Sequence, residues 1–302
     1  MSRPPSRPGW LSQPFSWLIY GFLWLLAHLP YRLLMSLGAG LGWLIRVVFR
    51  LRRKVISKNL LACFPELSQA EHKQLIKRNY RETGMMVSQT LRTFFNRSPQ
   101  PFDQLHIEGR EHLQKCLDQG QGVLLVSGHF TALDVGGRVI SEQFPVAGVY
   151  RPHKNRVQEY VVRKSRLKYA TQMFTRDELK GIVKRLKAGG IVWYAPDQDY
   201  RRGQSVFADF FGVPASTITA THQLARISGC QVMFYGVRRI PEKPYYQLSL
   251  SAPLADFPGK DAVLDTQRIN QGIEDMVRQS PDQYLWLHKR FKNRPDGEEK
   301  FY

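Results

Sequence analysis

Cysteine is scarce in this chain of 302 residues, and Cys63, Cys116 and Cys230 lie far apart. An odd number of scattered cysteines without a CxxC pair argues against a disulfide framework or a zinc ribbon and indicates a reducing compartment. The sequence also has no GxSxG nucleophile elbow, no HExxH pair and no Walker A loop. It therefore gives no support to α/β-hydrolase, zincin or P-loop chemistry.

Acidic residues are few as well, with 25 Asp and Glu against 44 Lys and Arg, for a formal net charge of +19. Such an excess usually accompanies a polyanionic partner: a nucleic acid, an anionic membrane surface, an acidic protein or a phosphorylated ligand. Charge alone does not choose between these partners. The sequence has no recognition-helix, RNP or zinc-finger pattern, so we expect no nucleic-acid partner.

Asp, Glu, Lys and Arg are absent from two apolar runs near the N-terminus, residues 16–30 and 33–45. The first run is shorter than the roughly 20 residues that a spanning helix needs. No small-residue cleavage site follows it, which disfavours a signal peptide. A spanning or re-entrant anchor, an amphipathic interfacial segment and a buried hairpin of a soluble domain stay open.

We predict that residues 1–50 form a membrane anchor and residues 51–302 the functional domain. A basic cluster follows residue 45, and positive charge beside an apolar segment favours a cytoplasmic body. Gly38 and Gly42 are four residues apart, a spacing that suits close helix packing.

Apolar runs and helical patterns alternate beyond residue 60. Ser68 and Glu71 form a capping box, which predicts a helix to about Phe95. This alternation predicts an α/β fold with a mostly parallel mixed sheet flanked by helices. The other predicted helices are 110–117, 155–168, 179–186, 216–228 and 264–279, and the predicted strands are 123–127, 146–150, 191–195, 232–237 and 245–250.

The stretch GVLLVSGHFTALDVGG (122–137) places His129 after a predicted strand and Asp134 five positions later. In one regular helix the two side chains would point about 140° apart. A working pair therefore needs His129 in the turn before the helix and Asp134 in its first turns. The carboxylate would then hold one ring nitrogen as N–H and leave the other free to accept a proton. The alternative is a turn histidine and an aspartate that favours a helix N-terminus.

Two further stretches, APDQDY (195–200) and QYLWLHKRFKNRP (283–295), follow HFTALD in an order that is highly specific. With them the chain resembles the bacterial lipid A biosynthesis acyltransferases of the lauroyl/myristoyl type, within the H-x4-D/E glycerolipid acyltransferase-like superfamily. Many of these relatives carry Glu where this chain has Asp134. Other matching pieces are KNLLACFPELS (58–68), VYRPHKN (149–155), LKGIVKRLKAGGIVWYA (179–195) and SVFADFFG (205–212).

The resemblance implies an inner-membrane enzyme whose catalytic domain faces the cytoplasm. It would move an acyl chain, lauroyl by expectation, from acyl carrier protein to the hydroxyl of a 3-hydroxyacyl chain on Kdo2-lipid IVA. His129 would be the general base and Asp134 would orient it, with no cofactor and no metal. Myristoyl or hydroxylauroyl transfer, another phosphorylated glycolipid or glycerolipid acceptor, and a non-enzymatic lipid-transfer protein are the alternatives.

The resemblance also marks Arg166 and Asp197 as functional. Arg166 suits a phosphate or oxyanion because its planar fork matches such groups. Asp197 and Asp199 follow a predicted strand and are candidates for ordering the site or binding the acceptor sugar. Candidates for phosphate contacts include Arg151, His153, Lys154, Arg156 and Arg163; candidates for phosphate, anionic lipid or carrier protein are Lys289, Arg290, Lys292 and Arg294; candidates for an acyl tunnel are Phe207, Phe210 and Phe211.

Overall fold

The computed structural model describes residue 8, residues 13–96, residue 105 and residues 107–201, 203–242 and 245–302. Residues 1–7 and 9–12 of the predicted anchor lie outside this part of the chain. The helices are α1 (Pro14–Ala27), α2 (Tyr31–Leu44), α3 (Arg53–Cys63), α4 (Gln69–Phe95), α5 (Arg110–Asp118), α6 (Leu133–Gln143), α7 (Arg156–Arg166), α8 (Leu179–Lys187), α9 (Ala220–Ser228) and α10 (Ala262–Gln279). The strands are β1 (Ile107–Glu108), β2 (Val123–Val126), β3 (Val146–Tyr150), β4 (Gln172–Thr175), β5 (Ile191–Tyr194), β6 (Ser205–Phe210), β7 (Val213–Ile218), β8 (Gln231–Arg239) and β9 (Tyr246–Leu250).

Seven strands form one mixed sheet in the order β1-β9-β8-β2-β5-β3-β4. The run from β8 to β4 is parallel throughout, while β9 lies antiparallel to β8 and parallel to β1. This arrangement confirms the predicted α/β fold with a mostly parallel mixed sheet. The capping box at Ser68 and Glu71 also forms as predicted at the start of α4.

The core lies on both faces of the sheet, because successive residues of a strand point to opposite sides. Leu124 and Val126 of β2 pack in a cluster with residues of α3, α8, α9 and α10. Val123 and Leu125 pack in a second cluster with residues of α5 and α6. The central strand β2 is therefore covered on both faces, and this packing fixes the position from which its following loop leaves the sheet.

The helix predicted over residues 216–228 starts later than expected, so the prediction for its first turn is wrong. Residues 213–218 form β7, which pairs antiparallel with β6, and the helix starts only at Ala220. The two-residue loop between the strands, Phe211 and Gly212, has positive φ values of 55° and 71°. Two left-handed residues suit a hairpin turn whose twist matches the strands. Strands β1, β4 and β6 were not predicted from the sequence either.

The N-terminal region combines close packing on one side with apolar exposure on the other. Residues Tyr31–Phe49, which comprise α2 and a π-helical turn (Ile45–Phe49), are long and apolar enough to cross a membrane, and the shorter α1 is apolar too. Most of the large apolar side chains that the described residues expose lie between Phe15 and Leu51. Such a surface is expected of a membrane anchor, which stays a prediction. The predicted boundary at residues 50 and 51 stays a prediction.

Glycines bring α2 into backbone contact with α4. A Cβ atom on Gly42 would lie 2.2 Å from the carbonyl oxygen of Tyr80, and one on Gly84 would lie 2.1 Å from that of Gly38. Neither position admits a larger residue without moving a helix. The predicted packing role of Gly38 and Gly42 is confirmed, and α4 is the helix that they contact.

We expect Gly42→Ala to destabilise the protein by about 1–3 kcal/mol, because the added methyl group meets backbone rather than a movable side chain. Gly40→Ala is the matched control in the same helix, since a Cβ there meets nothing within 4 Å. Alanine favours the helix at that position by up to about 1 kcal/mol. Thermal unfolding in detergent should separate the two variants; equal midpoints would contradict the packing of α2 on α4.

Candidate active site

His129 lies in the turn between β2 and α6, as the sequence predicts, but its carboxylate partner is Asp197. The ring Nδ1 of His129 is 2.5 Å from Oδ1 of Asp197. The backbone N–H of His129 donates to the other oxygen, Oδ2, at 2.7 Å. The Asp197 side chain is 2% exposed and that of His129 is 28% exposed. The carboxylate is thus buried beneath a ring that solvent can reach.

The pairing of His129 with Asp197 follows from the order of the strands in the sheet. Strands β2 and β5 are parallel neighbours, and Val126 pairs with Tyr194 at their carboxyl ends. His129 and Asp197 each lie three residues beyond this pair, so both loops leave the same edge of the sheet together. The carboxyl edge of a parallel sheet is where α/β proteins usually place their ligand sites.

The charge of Asp197 raises the tendency of the His129 ring to hold a proton. Burial opposes a charged imidazole, but the carboxylate and its hydrogen bond outweigh burial and raise the pKa of His129 above 6.5. Burial likewise opposes ionisation of Asp197. The charge and two hydrogen bonds of His129, together with the Tyr284 hydroxyl, nevertheless hold the pKa of Asp197 well below its usual range. When His129 is neutral, its proton lies on Nδ1 and its Nε2 carries a lone pair.

Asp134 does not orient His129, which corrects the contact predicted from the sequence. Asp134 is in the first turn of α6, as expected, but Nε and Nη2 of Arg166 donate to its Oδ1 at 3.0 and 2.9 Å. The Thr90 hydroxyl donates to its Oδ2 at 3.2 Å. The carboxylate therefore faces α7 and α4. Asp134 and Asp197 were both predicted near the site, and in the structure it is Asp197 that binds His129.

Four further residues of the described chain reach the site without a predicted role: Gln198, Tyr284, Leu285 and His288. Nε2 of His129 lies 3.2 Å from the amide nitrogen of Gln198, which lies 3.3 Å from Nε2 of His288. The Tyr284 ring packs against Phe130, and the backbone N–H of Leu285 donates to the carbonyl of His129 at 2.9 Å. The signal available in the sequence was the position of these residues in APDQDY and QYLWLHKRFKNRP.

Of the other predicted site residues, Arg151 is exposed, whereas Asp199 and Arg290 are hydrogen-bonded within the protein. Arg151 is exposed, and within the described residues its guanidinium makes no hydrogen bond or ion pair. Asp199 accepts from the backbone N–H and the side-chain amide of Asn293, at 3.0 and 2.6 Å, and burial raises its pKa. Arg290, predicted as a surface contact, is buried and donates to the carbonyl of Ser216 and the hydroxyl of Thr217, so that prediction is wrong.

A largely apolar pocket, open to solvent on one side, lies beside the Asp134–Arg166 pair. Both residues of the pair line it, and His129 does not. Phe207, Phe210 and Phe211 are not in its lining either, and Phe210 and Phe211 belong to the core. The apolar part of the lining includes Leu133, Ile140, Val146, Gly148, Val149, Ala170, Met173 and Trp193.

No metal site is evident in the part of the chain that the structure describes, where no group of three His, Cys, Asp or Glu side chains could hold an ion. The three cysteines are free and buried.

Comparison with known proteins now gives the family. The model of the family described as "Bacterial lipid A biosynthesis acyltransferase" matches residues 10–293. The chain belongs to this family. It is therefore an acyltransferase, and it acts in lipid A biosynthesis.

Individual relatives carry more specific names. The chain is 38% identical over 283 residues to the lipid A biosynthesis lauroyltransferase of Escherichia coli K12, covering 93% of this chain and 92% of that protein. It is 36% identical to the palmitoleoyltransferase of the same organism, over 95% and 94% of the two chains. Identity to its myristoyltransferase is 25%, over 82% and 76%.

Replacing each aspartate in turn should show which one holds the histidine. We expect Asp197→Asn to lower the pKa of His129, because the charge and the acceptor that stabilise the imidazolium are lost. Asp134→Asn should change this pKa much less, since that carboxylate contacts Arg166. Titration of ¹⁵N-histidine-labelled protein by NMR measures both. A larger change in Asp134→Asn would contradict the assignment.

Proposed function

We propose that the protein transfers a lauroyl chain from acyl carrier protein to the hydroxyl of a 3-hydroxyacyl chain on Kdo2-lipid IVA, with His129 as general base. The observation that carries this proposal is the His129–Asp197 pair at the edge of the sheet, with Nε2 of the histidine turned away from the carboxylate. A base for a substrate hydroxyl needs this arrangement: one nitrogen held as N–H and the other able to accept a proton.

The reaction needs no protein nucleophile. Nε2 of His129 takes the proton of the acceptor hydroxyl, whose oxygen attacks the thioester carbonyl. The tetrahedral oxyanion collapses, the carbon–sulfur bond breaks, and the leaving thiolate takes the proton from Nε2. Asp197 stabilises the imidazolium that forms in between and keeps the ring in one orientation. An ester and a free thiol result.

Asp134 and Arg166 would act as a unit. Two of the three nitrogens of the Arg166 guanidinium are engaged by Asp134, which leaves Nη1 for an oxygen of the substrate. Arginine binds phosphate and carbonyl oxygens strongly when it is held in place. We infer that Asp134 positions Arg166 toward the reacting groups, and that the exposed Arg151 contributes to binding acceptor phosphate.

The apolar cavity is the candidate site for the donor acyl chain. Asp134 and Arg166 line it, and the charge of Arg166 is close enough to His129 to oppose its protonation. Its remaining lining is mostly aliphatic and aromatic. Such a cavity favours a hydrocarbon chain, because burial of each methylene contributes roughly 0.8 kcal/mol. The assignment of lauroyl draws on the lauroyltransferase that is 38% identical.

We infer that residues 14–49 attach the protein to the inner membrane, with the sheet domain on the cytoplasmic face. The support is the apolar surface of α1 and α2 together with the cations that follow it. Positive charge beside an apolar anchor favours the cytoplasmic side and anionic lipid. The same excess charge suits an acidic carrier protein, and we expect no cofactor.

The proposal is tested by transfer of a labelled acyl group from acyl carrier protein to Kdo2-lipid IVA by membranes that contain the protein. We expect transfer, a preference for lauroyl over myristoyl and palmitoleoyl donors in direct competition, and a loss of at least about 100-fold in His129→Ala. Equal transfer by His129→Ala would remove the histidine from the mechanism. A preference for another donor would overturn the lauroyl assignment alone.

A further inference from the structure

Gln198 connects the candidate base to a second histidine. It follows Asp197 directly, its side chain is exposed, and its amide nitrogen lies 3.2 Å from Nε2 of His129 and 3.3 Å from Nε2 of His288. The two imidazole rings have centroids 5.7 Å apart. The mechanism described above uses neither Gln198 nor His288.

When His129 is neutral, the hydrogens in this cluster have one consistent arrangement. Asp197 accepts a hydrogen bond from the Nδ1–H of His129, so Nε2 of the neutral ring can only accept. A primary amide has two N–H groups, and Gln198 can direct one to each histidine. His288 then accepts at Nε2 as well, which requires its neutral form. Burial and the neighbouring His129 lower the pKa of His288 below 6.5, in agreement with this form.

We propose that Gln198 and His288 are positioning residues that keep an N–H donor on Nε2 of His129, so that this nitrogen stays unprotonated until the acceptor hydroxyl replaces the amide. The proposal rests on the proposed function of His129 as base. It deepens that function by assigning a role to the two residues that face the reacting nitrogen.

An N–H donor on Nε2 of His129 offsets an unfavourable effect of Asp197. Asp197 fixes the ring but favours its protonated form, and a protonated His129 is not a base. A donor on the lone pair stabilises the neutral form instead. The other charged or titratable groups here are Arg166, whose charge also opposes protonation of His129; Tyr194, Tyr284 and Arg290, which lie near Asp197; and Arg52, which acts on His288.

His288 determines which end of the amide faces the base. Without a second acceptor, the Gln198 side chain could turn its oxygen toward Nε2 and stabilise the protonated ring instead. Two acceptors on the same side require the nitrogen to face both. His288 is itself held in place, because the side-chain amide of Asn59 donates to its carbonyl at 2.8 Å. Leu285, three residues earlier, donates to the carbonyl of His129.

The test is the pH dependence of acyl transfer, with the NMR titration of His129 as an independent readout. In Gln198→Ala the acid limb of the rate profile should move to higher pH by about 0.5–1 unit, the effect of losing one hydrogen bond to the neutral form. Gln198→Glu should move it further, because a carboxylate beside Nε2 favours the imidazolium. Well above the limb, Gln198→Ala should recover most of the rate.

Substitutions at His288 separate positioning from folding. His288→Ala should move the limb in the same direction as Gln198→Ala. His288→Gln, whose side-chain oxygen can accept the same amide hydrogen, should restore the original limb. Gln204→Ala is the matched control, because Gln204 is an exposed glutamine six residues away whose side chain contacts none of the described residues by a hydrogen bond. It should leave the limb unchanged.

A lower rate in Gln198→Ala with an unmoved limb and an unmoved pKa of His129 would overturn the proposal, and so would failure of His288→Gln to rescue. The titration needs no substrate. If the wild type transfers no acyl chain while Gln198→Ala still raises the pKa of His129, the proposed function fails and the role of Gln198 in holding the ring neutral stands.

Discussion

One buried carboxylate organises the site. Asp197 accepts a hydrogen bond from the backbone of His129 with one oxygen and binds the ring with the other. It therefore fixes both the course of the chain after β2 and the orientation of the imidazole that the chain carries. A buried carboxylate is costly to ionise unless it is paired and hydrogen-bonded. Hydrogen bonds from His129 and Tyr284 stabilise it here, and the imidazolium pairs with its charge whenever the ring is protonated.

The sheet and the C-terminal segment supply the remaining constraints. Parallel pairing of β2 with β5 brings the two loops to one edge, and packing on both faces of β2 fixes that edge. Residues 283–288 then pass along the His129 turn, where Thr131 donates to the carbonyl of Gln283 and Leu285 donates to that of His129. The reactive side chain thus stays accessible while its backbone is hydrogen-bonded on two sides.

Local patterns predicted much of this fold. The capping box at Ser68, the strand at 123–127 and the placement of His129 in a turn before a helix follow from residues close together in sequence. The pairing of His129 with Asp197 did not, because it depends on which strand lies beside β2. Strand order is set by packing over the whole domain, and a motif that contains its own aspartate five residues later points to the nearer carboxylate.

The hairpin of β6 and β7 and the burial of Arg290 were missed for a related reason. Residues 216–218 belong to a strand because residues 205–207 pair with them, and no local pattern reveals that pairing. Arg290 lies in a run of cations that looks like a surface. The fold buries it, and Ser216, Thr217 and Asn270 accept hydrogen bonds from its Nη1 and Nη2. Both features arise from contacts between distant parts of the chain.

The central claim is that Asp197 acts through His129. A double-mutant cycle measures this most directly, by single-turnover acyl transfer in the wild type, Asp197→Asn, His129→Ala and the double variant. If the claim holds, Asp197→Asn slows the wild type by about 100-fold or more. The same substitution then slows His129→Ala by no more than about twofold, because the group it acts through is gone. Losses that multiply in the double variant would contradict the claim and assign Asp197 a role independent of the histidine.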